Sequence, residues 1–226
     1  MILLSLDTTS RQGSLALMKD GQLLETVSLE APDGYGQVLF QEVRSLLARH
    51  QLKAREIDGY AAACGPGSFT GIRVGLAAIK ALAEVHAKPV AGVSNLVAIA
   101  AAAEGSLRAP VMDARRGQVY AAVFDDSLRA VLGEIVIEWP QFIQWAGSKA
   151  ITLATTDPDL FGPGGAAPLP ASWRDRPRVV VPGALAGPVA RVAADRFQRG
   201  EHLSPEALEA NYVRRPDAEL RWKDPL

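Results

Sequence analysis

The tripeptide Lys19-Asp20-Gly21 constrains this chain more than any other short stretch. It lies between two apolar, strand-like runs, residues 14–18 and 22–29, and Asp-Gly supplies the backbone freedom at positive φ that a tight hairpin needs. Residues 2–7 form a third strand-like run just upstream. Three antiparallel strands in direct succession therefore open the fold.

Helix–strand alternation follows. After Pro32 and Gly34, Leu39, Val43, Leu46 and Leu47 recur on one helical face, with Glu42, Arg44 and Arg49 on others. Residues 58–64 read as a strand, a helix opens at Ser68 and runs to about His86, and residues 89–93 form a short strand. Residues 95–103 read as a further helix and 104–109 as a loop into a second half that begins Val111-Met112-Asp113. There, residues 118–124 and 130–138 pair through an Asp125-Asp126-Ser127 turn, 161–170 is a Gly/Pro/Ala surface loop, 178–181 is a strand, and 185–199 is the last long helix. A meander continued by alternating helices and strands is the arrangement of the actin-like, ribonuclease H-like (ASKHA) α/β superfamily. The expected division is an N-terminal lobe, 1–103, and a smaller C-terminal lobe, 104–226, whose last helices pack back on the first.

Charge narrows the function. With 24 basic and 25 acidic residues the net charge is -1, so the overall field recruits no phosphate backbone; strong direct tRNA binding is not expected, and any RNA contact is local or made through a partner. One cysteine and three scattered histidines offer neither a disulfide nor metal-ligand spacing. The apolar opening is cut by Asp7 and lacks a basic lead, and the longest uncharged stretch, 89–103, is too short for a bilayer. A cytoplasmic protein with no membrane association is expected.

Three segments could carry chemistry. Asp7-Thr8-Thr9-Ser10 puts a carboxylate and three hydroxyls at a strand end, where they either hold an anion or cation or simply satisfy the turn. Cys64-Gly65-Pro66-Gly67-Ser68 leads into a helix that Ser68 can cap, which makes an anion site physically feasible. It matches neither the P-loop nor the G-x-G-x-x-G template, nor a nucleophile elbow. Asp7, Thr8, Thr9, Ser68 and Asp113 are thus the candidate anion- or nucleotide-binding residues, with no cofactor demanded and at most weak nucleotide binding. The third segment is the helix itself: Ile72, Val74, Leu76, Ile79, Leu82 and Val85 cover most of its circumference. Such a helix must be covered on two sides, and a sheet covers only one. A neighbouring helix of the same chain or a second subunit supplies the rest, and small Gly71, Gly75 and Ala78 would let another helix come close.

The run Gly65-Pro66-Gly67-Ser68-Phe69-Thr70-Gly71-Ile72-Arg73-Val74-Gly75, following Leu6-Asp7-Thr8-Thr9-Ser10, resembles the signature of the TsaB family. Pro89-Val90-Ala91-Gly92-Val93-Ser94, Met112-Asp113-Ala114-Arg115-Arg116-Gly117-Gln118-Val119-Tyr120 and Tyr212-Val213-Arg214-Arg215-Pro216 agree in order and spacing. The resemblance implies a non-catalytic, actin-like subunit of the machinery that places threonylcarbamoyl on adenosine 37 of tRNA. Such a subunit pairs with the catalytic paralogue TsaD, is joined by the ATPase TsaE, and homodimerises in isolation through the same helices. It further implies a partner surface on the two helices, with Val38, Phe40, Leu47, Phe69, Ile72, Leu76, Ile79 and Leu82. The paralogue's metal-binding H-x-x-x-H corresponds here to Asn95 and Ile99, which cannot replace two imidazoles. Where many members carry His-Thr or His-Ser ahead of the first helix, this chain has Gly34-Tyr35-Gly36. The rival reading is a small actin-like phosphotransferase using Asp7 and Asp113 with Mg-ATP.

Overall fold

The computed structural model describes residues 1–31 and 34–214, and of Gln37 the backbone alone. Pro32 and the Arg215-Pro216 end of the tail motif lie outside the described residues.

The hairpin forms as its turn demands. β1 (Ile2–Asp7) pairs antiparallel with β2 (Gly13–Lys19), and β2 with β3 (Gln22–Leu29), across a turn in which Asp20 and Gly21 both have positive φ (51° and 79°). Helix α1 (Tyr35–Arg49) returns the chain to β4 (Gly59–Ala63), parallel to β1. Helix α2 (Phe69–Val85) is capped by Ser68, whose Oγ accepts from Gly71 N at 3.2 Å, and leads to β5 (Val90–Val93), parallel to β4. The sheet order is β3-β2-β1-β4-β5.

After α3 (Asn95–Ala102) the pattern repeats: β6 (Leu107–Asp113), β7 (Gln118–Asp125) and β8 (Ala130–Glu138) form an antiparallel meander. Helix α4 (Trp139–Ala146) precedes β9 (Thr152–Thr155), parallel to β6, and β10 (Arg178–Val180), parallel to β9. The order β8-β7-β6-β9-β10 reproduces the first sheet's connectivity. The two mixed sheets with their helices are an actin-like α/β fold.

The sequence reading departs from the structure in three places. β6 starts inside the expected loop 104–109; Arg108, which looks like a loop charge, is buried and donates from Nη1 to Ala100 O (3.1 Å) and from Nη2 to Asp125 O. Helix α4 and strand β9 had no expectation, because eight and four residues are too few to display a period. The second half is as regular as the first in connectivity, although its sequence shows no repeat.

Side-chain alternation along β1 decides what lies on each face. Leu4 and Leu6 join the cluster formed with α1 and α2, while Leu3 meets Met18, Ala190 and Ala194 on the other side. That other side belongs to α5 (Ala186–Gln198), which lies along β1, β2, β4 and β5 although it follows the second sheet in sequence. Ser5 Oγ donates to Ala186 O (2.7 Å), and Ala186 N donates to Ser14 Oγ (3.0 Å), fixing the start of α5 on the sheet.

Coverage of α2 answers the two-sided problem within the chain. Its inner face meets the sheet and α1; residues 203–212 cross its outer side after a short turn, Pro205–Ala207. Leu203 bridges Val90, Leu208 is 1% exposed within the core cluster, Lys80 Nζ donates to Glu206 O (3.2 Å), and the Tyr212 ring lies 5.7 Å from that of Phe69. The small residues of α2 serve a different approach from the expected helix contact. A Cβ on Gly71 would stand 1.9 Å from Thr8 O, and one on Gly75 2.4 Å from Thr8 Oγ1, so what comes close is the β1–β2 corner. Among the described residues no helix is long and apolar enough to cross a membrane.

Candidate functional site

The end of β1 and the start of α2 meet at one corner. Asp7 is fully buried: its Oδ1 accepts from Thr9 N (2.8 Å) and Thr9 Oγ1 (2.6 Å), and its Oδ2 has no hydrogen-bond partner. Burial raises its carboxyl above the usual carboxylate range, against the lowering effect of the two Thr9 bonds. Thr8 Oγ1 donates to Gly71 O (2.7 Å) and ties the corner to α2.

Asn95 braces the same corner from α3. Its Nδ2 donates to Thr9 Oγ1 (2.5 Å), its Oδ1 accepts from Gly65 N (3.1 Å), and its own N donates to Gly65 O (2.8 Å). Gly65 sits at φ 111° with Asn211 O only 2.8 Å from where a Cβ would be, so glycine is required there. Ser68 N donates to Thr9 O (2.7 Å). The amides of Gly65, Ser68 and Gly71, which could have cradled a phosphate, are thus already used. The thiol of Cys64, beside this loop, is pushed up to about 11 by burial and is unreactive at neutral pH.

A cleft of about 520 Å³ opens beyond the corner, between the two sheets. Thr9, Ser10, Arg11, Gly67 and Ser68 line one wall; Met112, Asp113, Ala114, Arg115 and Tyr120 line the other. Of the residues expected to face an anion, Thr9, Ser68 and Asp113 line this cleft. Asp7 and Thr8 do not line the cleft: the first is sealed beneath Thr9 and the second is spent on α2. Asp113 is engaged by its own turn, with Oδ1 accepting from Arg115 N (2.7 Å) and Oδ2 3.5 Å from Arg115 Nη1. Arg11 and Arg115 are cleft residues that sequence reasoning did not single out. The signal was present in Arg115-Arg116-Gly117, since a hairpin turn with three successive positive φ angles (65°, 56° and 74°) projects its side chains outward.

The two positions that correspond to the paralogue's histidine pair are both buried. Asn95 is 1% exposed with its amide bonded to Thr9 and Gly65, and Ile99 is buried in a cluster with Ala61, Val93 and Val189. Among the described residues no group of three or more His, Cys, Asp or Glu side chains is placed to hold a metal.

The expected partner surface divides. Leu47 (5% exposed), Ile72 (2%), Leu76 (7%) and Ile79 (1%) lie in the chain's own core, which corrects their assignment as contact residues. Leu47, Ile72 and Ile79 belong to the cluster that α1 and α2 form with the first sheet, and Leu76 borders the crossing residues Leu208, Ala210 and Tyr212. Val38 and Leu82 are half-buried, whereas Phe40 and Phe69 are nearly half exposed and Val85 is 78% exposed. With Val74, Ala77 and Ala81 at helical spacing, they leave an apolar strip along α1 and α2. Tyr35, in the Gly34-Tyr35-Gly36 segment, is buried and donates to Ser10 O (2.8 Å), so it closes the turn beside Asp7.

A scaffold of two like-connected sheets, a buried acidic corner and a cleft between the sheets define the class: an actin-like α/β protein with its β1 carboxylate buried beneath Thr9. Residues 30–167 match the family described as TsaD: tRNA N6-adenosine threonylcarbamoyltransferase. The chain belongs to this family, in its TsaB/YeaZ branch. It is 30% identical over 126 residues to the tRNA threonylcarbamoyladenosine biosynthesis protein TsaB of Bacillus subtilis, a match covering 55% of each chain, so it spans about half the length of that relative. Against the TsaB protein of Escherichia coli it is 28% identical over 239 residues, covering 99% of this chain and 97% of the other. A Pseudomonas aeruginosa crystal structure, of a protein with similarity to peptidase YeaZ, superposes with a TM-score of 0.79 at 26% identity, covering 94% of this chain and 99% of that one.

Proposed function

We propose that this chain is the non-catalytic scaffold subunit of the assembly that makes N6-threonylcarbamoyladenosine in tRNA. It pairs with the catalytic paralogue TsaD through the exposed strip of α1 and α2, with the ATPase TsaE joining the pair. In isolation the same strip pairs two copies of the chain. The work takes place in the cytoplasm, where tRNA is modified.

One observation carries the reading. The chain matches the transferase family, yet the position of its first metal-binding histidine is Asn95, whose amide is used at both ends to brace Thr9 and Gly65. Its Nδ2 has no lone pair to give and its Oδ1 is turned to Gly65 N in a buried site, so it is a poor substitute for an imidazole. The burial of Asp7 away from the cleft weighs against the phosphotransferase alternative, which asks both Asp7 and Asp113 to serve Mg-ATP and finds only Asp113 in the cleft wall. A peptidase mechanism would need a base beside its nucleophile, and the hydroxyls of Thr9, Ser10 and Ser68 share the cleft wall with no histidine.

The test uses the surface, because charges at Leu76 or Ile79 would disrupt the core. A Phe40→Asp/Phe69→Asp double variant is expected to keep the melting temperature of the parent chain, to lose co-purification with the larger paralogue, and to fail in a reconstituted tRNA modification assay. Retained pairing, or Mg-ATP turnover by the isolated chain that Asp7→Ala abolishes, would overturn the reading.

A further inference from the structure

The chain as a whole carries a net charge of -1, but its cations are not spread evenly. Around the N-terminal ends of β9 and β10, Lys149, Arg174, Arg176 and Arg178 face a single nearby carboxylate in sequence, Asp175. Their proximity in space follows from their bonds. Arg176 reaches across to the loop after α4, donating from Nη2 to Gly147 O and from Nη1 to Lys149 O, while Arg178 Nη1 donates to Arg174 O (2.9 Å). Leu153 N donates to Pro177 O (2.9 Å) and holds the two segments side by side.

None of these four cations is in an ion pair among the described residues. Each that is engaged donates to a backbone carbonyl, which leaves its charge uncompensated. Asp157 and Asp159 follow the opposite, C-terminal end of β9, roughly 10 Å or more away at about 3.3 Å per residue. Glu104 precedes β6, and the adjoining Gly105 approaches Thr152 at the start of β9, so this carboxylate borders the patch without pairing to its cations; Asp125 ends β7, two strands across the sheet. Two tryptophans stiffen the patch: the Arg176 guanidinium lies 3.8 Å from the Trp173 ring centre, and the Lys149 ammonium 4.5 Å from that of half-buried Trp145.

We infer that this patch is an RNA contact, which takes the phosphate backbone of the tRNA while the paralogue acts on its base. The inference rests on the proposed function, which supplies a polyanion as the substrate of the assembly. Fixed cations over aromatic rings, with donors left free, suit phosphate oxygens, and such contacts position a nucleic acid without reading its sequence. The patch lies on the second sheet, whereas the proposed protein-pairing strip lies on helices of the first, so both can be occupied at once. A local contact of this size also accords with a chain whose overall field does not attract RNA.

The experiment compares the full chain with a Lys149→Ala/Arg174→Ala/Arg178→Ala variant, each in complex with the larger paralogue, on an unmodified tRNA transcript over a range of KCl concentrations. Arg176 is left intact because it holds the end of α4. The expected result is a KM for tRNA raised about tenfold, unchanged kcat and pairing, and a log–log salt slope shallower by roughly 2 to 3, as for three lost phosphate contacts. An unchanged KM and slope would overturn the inference. So would loss of pairing with tRNA affinity intact, because the patch would then be a protein contact. If the parent chain neither pairs nor supports modification, the proposed function itself fails, and that outcome is distinct from a triple variant that behaves like its parent.

Discussion

Ile79 separates a core helix from a contact helix. Its side chain is 1% exposed in the single chain, packed in the cluster with Leu4, Leu46 and Leu76. Ile79→Ala removes three carbons beyond Cβ. At about 0.8 kcal/mol per buried methylene the transfer loss is about 2.4 kcal/mol, and a cavity that relaxes only partly brings the total to about 3–4 kcal/mol. For a chain of 226 residues this lowers the melting temperature by about 10 °C. Phe40→Ala, on a side chain 46% exposed, is expected to cost under about 1 kcal/mol. Both are measured by urea unfolding at a protein concentration low enough that no pairing contributes. If Ile79→Ala changes the isolated chain by less than about 1 kcal/mol while abolishing pairing, then α2 presents Ile79 to a partner and not to the core that it forms with the first sheet and α1.

Two further outcomes follow from the corner. Because burial raises the Asp7 carboxyl, the folded state holds that proton more tightly than the unfolded chain. The group's contribution is therefore most favourable below about pH 4 and diminishes as pH rises through the raised folded value. In paired urea titrations across pH, Asp7→Asn is expected to flatten this decline; parallel pH profiles for parent and variant would show that Asp7 is not the group responsible. Asn95→Ala leaves Gly65 N without its acceptor in a buried site and is expected to cost about 1–3 kcal/mol, with hydrogen exchange at Gly65 accelerated. An unchanged exchange rate at Gly65 would refute the bracing role.

Local chemistry made part of this molecule legible from the start. Asp20-Gly21 gives the hairpin, Ser68 the start of α2, and the apolar periodicity of α1 and α2 their inner faces, because each depends on residues within a turn or two of one another. The family resemblance was likewise readable in the run from Gly65 to Gly75. Only the tertiary structure decided the rest. That Asp7 is sealed depends on Thr9, on Asn95, which lies 86 positions beyond Thr9, and on the start of α5. That the outer side of α2 around Leu76 and Lys80 is covered depends on Leu208 and its neighbours, which return from the far end of the chain. Sequence periodicity reports that a face is apolar, but it carries no record of which distant segment, if any, will shield it.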